Sequence, residues 1–308
     1  MEKMNSLIAR ALSRRKFLVG AGAAGAALTT GALVAGCGGV SPTGSLGPPA
    51  NPSPSTPSDP DILNFALNLE YLEAEFYLRA ATGSGLSDAD AGSGAGPVTG
   101  GAQVTFPTAA LQQYAVEIAQ DELNHVRFLR QALGSAAVSR PAIDLTNSFN
   151  AVAMAAGIGS SFNPFADSNS FLVGAFVFED VGVTAYHGAA PLISNKTYLT
   201  AAAGILAVEA YHAAEIRSLI YGMSVSTGTA TYLNDANAIS AVRASLGGGN
   251  ETPISATSIV AADTTNAIAF DRTTDQVLHI VYAQGAGVVS KGGFFPNGLN
   301  GFITTTTA

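Results

Sequence analysis

The chain reads QDELNHVRF at residues 120–128 and AVEAYHAAE at residues 207–215. Both stretches place a Glu three positions before a His, and residues three apart lie on the same face of an α-helix. Only four histidines occur among the 308 residues, so two such pairs are more than random placement would give. The pairs are Glu122 with His125 and Glu209 with His212.

A single Glu stands upstream of each pair, in LNLEYLEAEFY at residues 67–77 and in VFEDVGVTAYH at residues 177–187. Each of these glutamates has a Tyr seven residues later, about two helical turns, so the Tyr stays on the face of its Glu. The chain therefore reads twice as Glu, Tyr at plus seven, then Glu-x-x-His, a weak internal repeat of a helix pair. The residues are Glu70 with Tyr77 and Glu179 with Tyr186.

Four carboxylates and two imidazoles are the ligand set of two carboxylate-bridged metal ions inside a four-helix bundle. One Glu-x-x-His alone is usually a solvated surface feature. Here, however, each pair lies on an apolar helical stripe, where unpaired charges would be costly to bury. We expect Glu122 and Glu209 to bridge the ions. The predicted ligands are Glu70, Glu122, His125, Glu179, Glu209 and His212, with Glu70 and Glu179 terminal and one His on each ion.

Residues beside these ligands have more than one interpretation. Glu73 lies within one turn of Glu70. We expect it either to contact the ligands without binding a metal, or to be an alternative ligand to Glu70. Tyr77 and Tyr186 either hydrogen-bond the terminal glutamates and act near the reaction, or are aromatic core residues. His187 is out of phase with the ligands; it either lies near the metals or is an ordinary packed or exposed His.

The ligand chemistry favours a hard or borderline divalent metal, and imidazole adds preference for iron or manganese over magnesium or calcium. Two iron ions are expected, with manganese as the alternative, about 4 Å apart as in other two-metal sites. The expected small-molecule partner is dioxygen, peroxide or Fe(II).

The N-terminus carries a targeting pattern. Residues 13–18, SRRKFL, form a twin-arginine motif, and a weakly apolar stretch then ends in VAGC at residues 34–37, which resembles a lipobox. Residues 1–37 are therefore expected to be a twin-arginine lipoprotein signal, with Cys37 lipidated. The protein would be exported and lipid-anchored in the cell envelope, on the periplasmic or outer face of the membrane.

Composition narrows the remaining functions. Residues 1–36 contain five of the 14 basic residues and one of the 22 acidic ones, which leaves 9 against 21 and a net charge of −12. Such a charge argues against nucleic acid as a partner. Cys37 is the only cysteine, so no thiolate metal site or cysteine-based electron relay is expected. A second copy of the chain, in a homodimer, is a further expected partner.

The chain divides by composition into four parts. Residues 1–37 are the signal, 38–60 a Pro/Ser/Gly-rich tether, 61–222 the four-helix bundle and 223–308 an extension packed on it. An exposed loop is expected at 82–106, and a crossover connection at 134–168. The predicted helices are Asp61–Ala81, capped by Asp59 with Pro60 first, Pro107–Gly134, Ser170–Ala190, Lys196–Tyr221, Asp235–Leu246 and Thr274–Ala283.

These motifs resemble the ferritin-like superfamily, which includes rubrerythrin, bacterioferritin and manganese catalase. The combination of FALNLEYLEAEFY, FEDVG and the closing VLHIVYA and GGFFPNGLNG is similar to its desiccation-related branch, over roughly residues 60–302. The resemblance implies an all-α, ferritin-like four-helix bundle with a long crossover connection and an irregular, partly helical C-terminal extension. It also implies the ligand roles already named.

The leading hypothesis is a di-iron or dimanganese oxidoreductase that reacts with peroxide or dioxygen, or oxidises Fe(II), in stress defence. The alternative is a non-enzymatic structural or desiccation-protective envelope protein whose metal site is structural or vestigial.

Overall fold

The computed structural model describes residues 56–307, so the predicted signal at 1–37 and nearly all of the tether at 38–60 lie outside the described residues. Within residues 56–307 the regular secondary structure is helical apart from two short strands, which confirms the all-α fold class. The helices are α1 (Asp59–Thr82), α2 (Asp88–Ala91), α3 (Ala109–Leu133), α4 (Asn147–Ala155), α5 (Ser168–Phe176), α6 (Glu179–Ala189), α7 (Lys196–Thr227), α8 (Thr231–Leu246) and α9 (Thr274–Val281).

The bundle consists of two helix pairs. Helix α1 packs along α3, α6 packs along α7, and α1 meets α6 between the pairs. The connections hold more structure than expected. The loop predicted at 82–106 contains α2 and strand β1 (Val98–Thr99), and the crossover contains α4 and strand β2 (Ile143–Asp144). The two strands pair in parallel, with Val98 opposite Ile143.

The start of α1 differs from the sequence prediction. Ser58, not Asp59, is the N-cap, because the Asp61 carboxylate accepts hydrogen bonds from both the backbone N–H and the hydroxyl of Ser58. Asp59 instead accepts from the backbone N–H groups of Ser194 and Asn195, just before α7. This carboxylate therefore joins the starts of α1 and α7.

The third bundle helix is broken, although the sequence predicted one helix over Ser170–Ala190. At the break, Val177 N–H bonds to Gly174 O three residues back, so the regular four-residue pattern is lost. Arg243 of α8 donates to the freed carbonyls of Phe176 and Val177. A side chain from the C-terminal extension thus satisfies the break, immediately before Glu179 begins α6.

Helix α1 is buried on all sides from Ile62 to Tyr77, including its polar residues. Segments outside the four-helix bundle provide part of this cover. Asn68 exchanges two hydrogen bonds with the backbone of Asn300, at 2.8 and 3.0 Å. Phe149 of α4 and Phe294 of the extension pack against each other, with ring centroids 5.2 Å apart.

The last bundle helix and the helix after it are longer than predicted. Helix α7 continues past Tyr221 to Thr227 and ends at Gly228, whose φ of +65° is the left-handed conformation that glycine adopts easily. Helix α8 begins at Thr231 rather than Asp235. Within residues 56–307, no helix combines the length and hydropathy needed to cross a bilayer.

Candidate metal centre

The structure brings all six predicted ligands together in the centre of the bundle, and every one of them is buried. Their donor atoms fall into two groups, within each of which all atoms lie within 4.8 Å of one another. The first group is Glu70, Glu122, His125 and Glu209, and the second is Glu122, Glu179 and His212.

Each group is arranged around the Nδ1 atom of its histidine. His125 Nδ1 lies 3.1 Å from Glu70 Oε2 and 3.3 Å from Glu122 Oε2. Glu209 Oε1 lies 3.7 Å from the same nitrogen. These distances describe one compact set of oxygen and nitrogen donors.

The second group has the same form. His212 Nδ1 lies 3.0 Å from Glu122 Oε1 and 3.6 Å from Glu179 Oε2. The two imidazole centroids are 6.5 Å apart, so the groups lie side by side. Only Glu122 belongs to both, with one oxygen directed at each histidine, as a bridging carboxylate requires. Glu209, the other expected bridge, is in the first group only, and its bridging role stays a prediction.

Several buried donor atoms in this cluster make no hydrogen bond of acceptable geometry within the described part of the chain, although two of them, His212 Nδ1 and Glu122 Oε1, lie 3.0 Å apart. They are Glu122 Oε1, Glu179 Oε2, both carboxylate oxygens of Glu209, and His212 Nδ1. Orphaned buried polar atoms are rare and costly in native proteins. Five of them converging from three helices fit divalent metal ions, whose coordination would satisfy them all.

The two tyrosines hydrogen-bond across the bundle. Tyr77 of α1 donates to Glu179 Oε1, and Tyr186 of α6 donates to Glu70 Oε1. Each Tyr therefore orients the glutamate of the other half of the internal repeat. In each of these glutamates the other oxygen, Oε2, faces a histidine.

Glu73 is a fifth buried carboxylate beside the ligands, outside both groups. Glu73 lies opposite Gly182, a residue of α6 that comes one turn after Glu179. A Cβ at Gly182 would clash with Glu209 Oε2 and lie 3.5 Å from Glu73 Oε1. The missing side chain at Gly182 is what leaves room for Glu209 to reach the cluster.

His187 is not brought to the cluster. Its Nδ1 lies 3.1 Å from the backbone carbonyl of Phe270 in the C-terminal extension, and the residue is half-buried. It therefore contacts the extension, and nothing in this geometry relates it to the metals.

The charges of the metal-free cluster are strongly coupled. Burial disfavours charged imidazoles, yet Glu70 and Glu122 raise the pKa of His125, and Glu179 and Glu122 raise that of His212, each to about 12. Burial opposes ionisation of Glu122, but its attraction to both imidazoles holds the pKa of that carboxyl well below its usual range. Without metal, protons on the two histidines thus compensate the central carboxylate.

The other carboxylates shift in the opposite direction. Burial raises the pKa of Glu70 to about 7, against the attraction of His125. Burial, and then repulsion from neighbouring glutamates, raises the pKa values of Glu73 and Glu209 well above their usual range. Divalent cations would supply the charge that lets these carboxylates ionise together.

Two features near the centre were not found from the sequence. Asp121 Oδ2 lies 3.3 Å from His212 Nε2, the ring nitrogen that faces away from the ligands. The sequence feature that could have indicated Asp121 is its position directly before Glu122, because that position on α3 faces the neighbouring helix α7.

The second missed feature is a buried ionic network behind Glu179. Asp180 Oδ2 accepts from Arg217 Nη1 and Arg243 Nη2, both at 2.8 Å. Glu251 in turn joins Arg243 at 2.8 Å and Arg272 at 2.6 Å. These residues are distant in sequence, so no local pattern indicates the network, which links α6 and α7 to the extension.

Comparisons with known proteins agree with the fold. A model of the ferritin-like domain matches residues 58–222, which contain all six predicted ligands. The chain is 32% identical over 270 residues to ferritin-like catalase Nec2 of Nesocodon mauritianus, covering 80% of this chain and 85% of that protein. It is 32% identical over 245 residues to desiccation-related protein PCC13-62 of Craterostigma plantagineum, covering 72% and 76%. With its bundle, its buried carboxylate and histidine cluster and these matches, the chain belongs to the ferritin-like domain family.

Proposed function

We propose that this protein binds two iron or manganese ions at the cluster and disproportionates hydrogen peroxide. The observation that carries the proposal is the pair of ligand groups joined by Glu122, with orphaned donor atoms directed into them. When bound, the ions would supply the redox chemistry. The similarity to a protein named as a ferritin-like catalase supports peroxide as the substrate.

Disproportionation also agrees with a chain that contains a single cysteine. One peroxide is reduced to two waters, and a second is oxidised to dioxygen, so no external electron donor is needed. A reductive peroxidase would require such a donor, and the chain's one cysteine, Cys37, precedes the domain. Hydrogen peroxide is both the oxidant and the reductant, so the electrons balance without another reactant.

The chain's own residues have separate roles in this proposal. Glu122 would hold both ions, and the hydrogen bonds from Tyr77 and Tyr186 orient Glu179 and Glu70. Glu209 would supply further carboxylate oxygens to the ions, in the room that Gly182 leaves for it. The surrounding buried core excludes bulky reductants from the ions.

Oxygen evolution tests the reaction. The full chain is loaded with Mn(II) or with Fe(II) under anaerobic conditions, hydrogen peroxide is added, and dioxygen is followed with an electrode. We expect one dioxygen for every two peroxides, loss of turnover in Glu122→Ala, and normal turnover in Glu117→Ala, an exposed position on the same helix. Dioxygen consumption with Fe(II), without peroxide turnover, would favour Fe(II) oxidation instead.

The second candidate is a non-enzymatic protective role with a structural metal. The specific support is the similarity to a protein named as desiccation-related. Two bound ions that raise thermal stability, without turnover of peroxide or dioxygen, would favour this function over catalysis.

The proposal includes export by the twin-arginine route and lipid anchoring at Cys37, on the basis of the SRRKFL and VAGC motifs. Membrane fractionation and labelling with a radioactive fatty acid test it. Cys37→Ala should abolish labelling and release the protein, whereas Lys in place of both Arg14 and Arg15 should block export. Labelling that persists in Cys37→Ala would contradict the anchor.

A further inference from the structure

Glu73 is a buried carboxyl that belongs to neither ligand group, and it lines a small internal cavity. This inner cavity lies between α1, α6 and α9 and has a volume of about 10 Å³, roughly the room that one water molecule needs. Among the described residues that line it, Glu73 has the only polar side chain. The inner cavity is therefore an apolar space with one carboxyl group in its wall.

The inner cavity adjoins the metal centre at Gly182, which is also part of its wall. A Cβ at Gly182 would clash with Glu209 Oε2 and would lie 3.5 Å from Glu73 Oε1. Because Gly182 has no side chain, no methyl group stands between the two carboxyl groups. Gly182 thus borders both the inner cavity and a predicted metal ligand.

A second, larger cavity reaches the surface of the protein. This outer cavity lies between α4, α8 and α9 and has a volume of about 190 Å³. Two of the residues that line it, Ala155 of α4 and Ser245 of α8, are exposed, whereas Val177 and Phe294 in the same wall are buried. The outer cavity therefore extends from the surface into the core.

The two cavities share three residues of their walls, Val177, Ile280 and Phe294. Val177 stands at the break in the third bundle helix, directly after α5, Ile280 is in α9, and Phe294 belongs to the C-terminal extension. The cavities are therefore neighbours, and no more than these residues separates them. Together they lead from the surface between α4 and α8 to the edge of the metal centre.

The walls of this path favour an apolar molecule. Apart from Arg243 and Ser245, the residues that line the outer cavity are apolar. Arg243 is already engaged, because it donates to the carbonyl of Phe176 and to Asp180 Oδ2. Water and hydrogen peroxide would lose hydrogen bonds between such walls, which is costly, whereas an apolar molecule loses none.

We propose that the inner and outer cavities form a route by which dioxygen passes between the metal centre and the surface. The inference rests on the proposed function, in which dioxygen is the apolar product. Protein interiors contain few voids larger than a water molecule, so two adjoining cavities beside the cluster need an explanation. An apolar cavity of about 150 Å³ takes up xenon or benzene, so the outer cavity has room for a diatomic gas.

Xenon tests the cavities without metal or turnover, because it is an apolar probe that occupies dry apolar cavities. Crystals of the full chain under xenon pressure should show xenon in the outer cavity, in contact with Val177, Ile280 or Phe294. Xenon that binds only elsewhere in the crystal, or not at all, would overturn the route.

Two variants that narrow the path test its use. Val177→Phe fills the junction of the two cavities, and Ala155→Trp closes the mouth at an exposed position. Stopped-flow mixing of the Fe(II)-loaded protein with dioxygen gives the second-order rate constant of oxidation. Each variant should lower this constant about tenfold, which corresponds to about 1.4 kcal/mol of added barrier. The control is Met154→Trp, an exposed position on the same helix outside the cavity wall, which should react like the wild type.

Metal binding and folding are measured in the same variants. Equilibrium dialysis with Mn(II) should give the wild-type affinity for all three, since none of them changes a predicted ligand. Circular dichroism verifies that each variant folds. Slower oxidation at unchanged metal content then reports on access to the centre.

The outcomes separate this inference from the proposed function. Unchanged oxidation rates in both narrowed variants, with full metal content, would overturn the route and leave the metal centre standing. Slower peroxide consumption with an unchanged dioxygen reaction would assign the path to peroxide and overturn the proposal as stated. No bound metal in the wild type would overturn the centre itself, and the route with it.

Discussion

The hydroxyl of Tyr77, on the first bundle helix, donates a hydrogen bond to Glu179, the first residue of α6. The two residues are 102 positions apart, and Tyr186 and Glu70 repeat the relationship in reverse. The bundle is thus joined at its centre by two equivalent bonds between α1 and α6. Both bonds end on predicted metal ligands, so they connect packing to the chemistry of the site.

Removing either hydroxyl tests these bonds. Tyr77→Phe and Tyr186→Phe should each lower the free energy of unfolding by about 1–3 kcal/mol, because a buried carboxylate loses its donor. Urea unfolding measures the change, and Tyr211→Phe, at a residue that is 73% exposed, is the control. Equal losses in all three variants would mean that the buried bonds contribute nothing specific.

Metal binding should release protons. The pKa values of His125 and His212 are about 12 without metal, so both imidazoles are charged at neutral pH and must lose a proton to coordinate an ion. Affinity should therefore rise with pH, with at least two protons released per pair of ions at pH 7.5. Calorimetry in buffers of different ionisation enthalpy measures the number. Heats that do not depend on the buffer would contradict this charge state.

The stability of the metal-free protein should fall as pH rises. The folded-state pKa values of His125 and His212 exceed the ordinary value of 6.5, so their contribution to stability is complete below about 6.5 and is lost toward 12. Glu70, whose pKa is raised from its ordinary value of 4.5 to about 7, changes stability in the same direction between those pH values. Glu122, with a lowered pKa, has the opposite sign, but its contribution is lost only on acidification.

Urea unfolding in a chelator at pH 5.5, 7 and 9 measures this trend. The free energy of unfolding should decrease across the series, and added Mn(II) should reverse the order, because metal binds better at high pH. A metal-free stability that rises steadily from pH 5.5 to 9 would contradict the assigned shifts.

A methyl group at Gly182 should disturb the metal centre. Gly182→Ala places a Cβ against Glu209 Oε2 and should weaken metal binding even though Ala favours helix. Gly204→Ala is the matched control, since this helical glycine has open space around its Cβ position and should gain about 0.5–1 kcal/mol of stability. The metal affinity and the free energy of unfolding in urea are measured for both variants. Unchanged metal affinity in Gly182→Ala would show that Glu209 has room to move.

The buried network should matter far more than a surface ion pair. Glu251→Ala leaves Arg243 and Arg272 without their shared carboxylate and should cost about 3–5 kcal/mol. Asp90→Ala breaks the exposed pair with Arg127 and should cost about 0–1 kcal/mol. Thermal unfolding compares them, and similar losses would argue against strong burial of the network.

Much of the site could be predicted because its signals are local. A Glu and a His three residues apart share a helical face wherever the helix lies, and the seven-residue spacing of Glu70 and Tyr77 follows the same geometry. Helix ends were harder to predict. Ser58 is the N-cap through its hydrogen bonds with Asp61, whereas Asp59 contacts the start of α7, which no local pattern reveals.

The break before Glu179 was missed for a related reason. Its sequence, AFVFEDVG at residues 175–182, has no proline and reads as continuous helix. The carbonyls freed at the break are satisfied by Arg243, more than sixty residues later. A helix interruption in a buried core depends on such a distant donor, and local propensity contains no information about it.

Helical periodicity acts over three to seven residues, so it was enough to predict the helical class, the six candidate ligands and their pairing on helix faces. The packing of the helices was needed to show that Glu122 is shared by both groups, that the tyrosines cross between halves and that Asp121 lies beside His212. Those relationships depend on the relative rotation and separation of four helices. Packing sets both, through contacts between residues far apart in the chain.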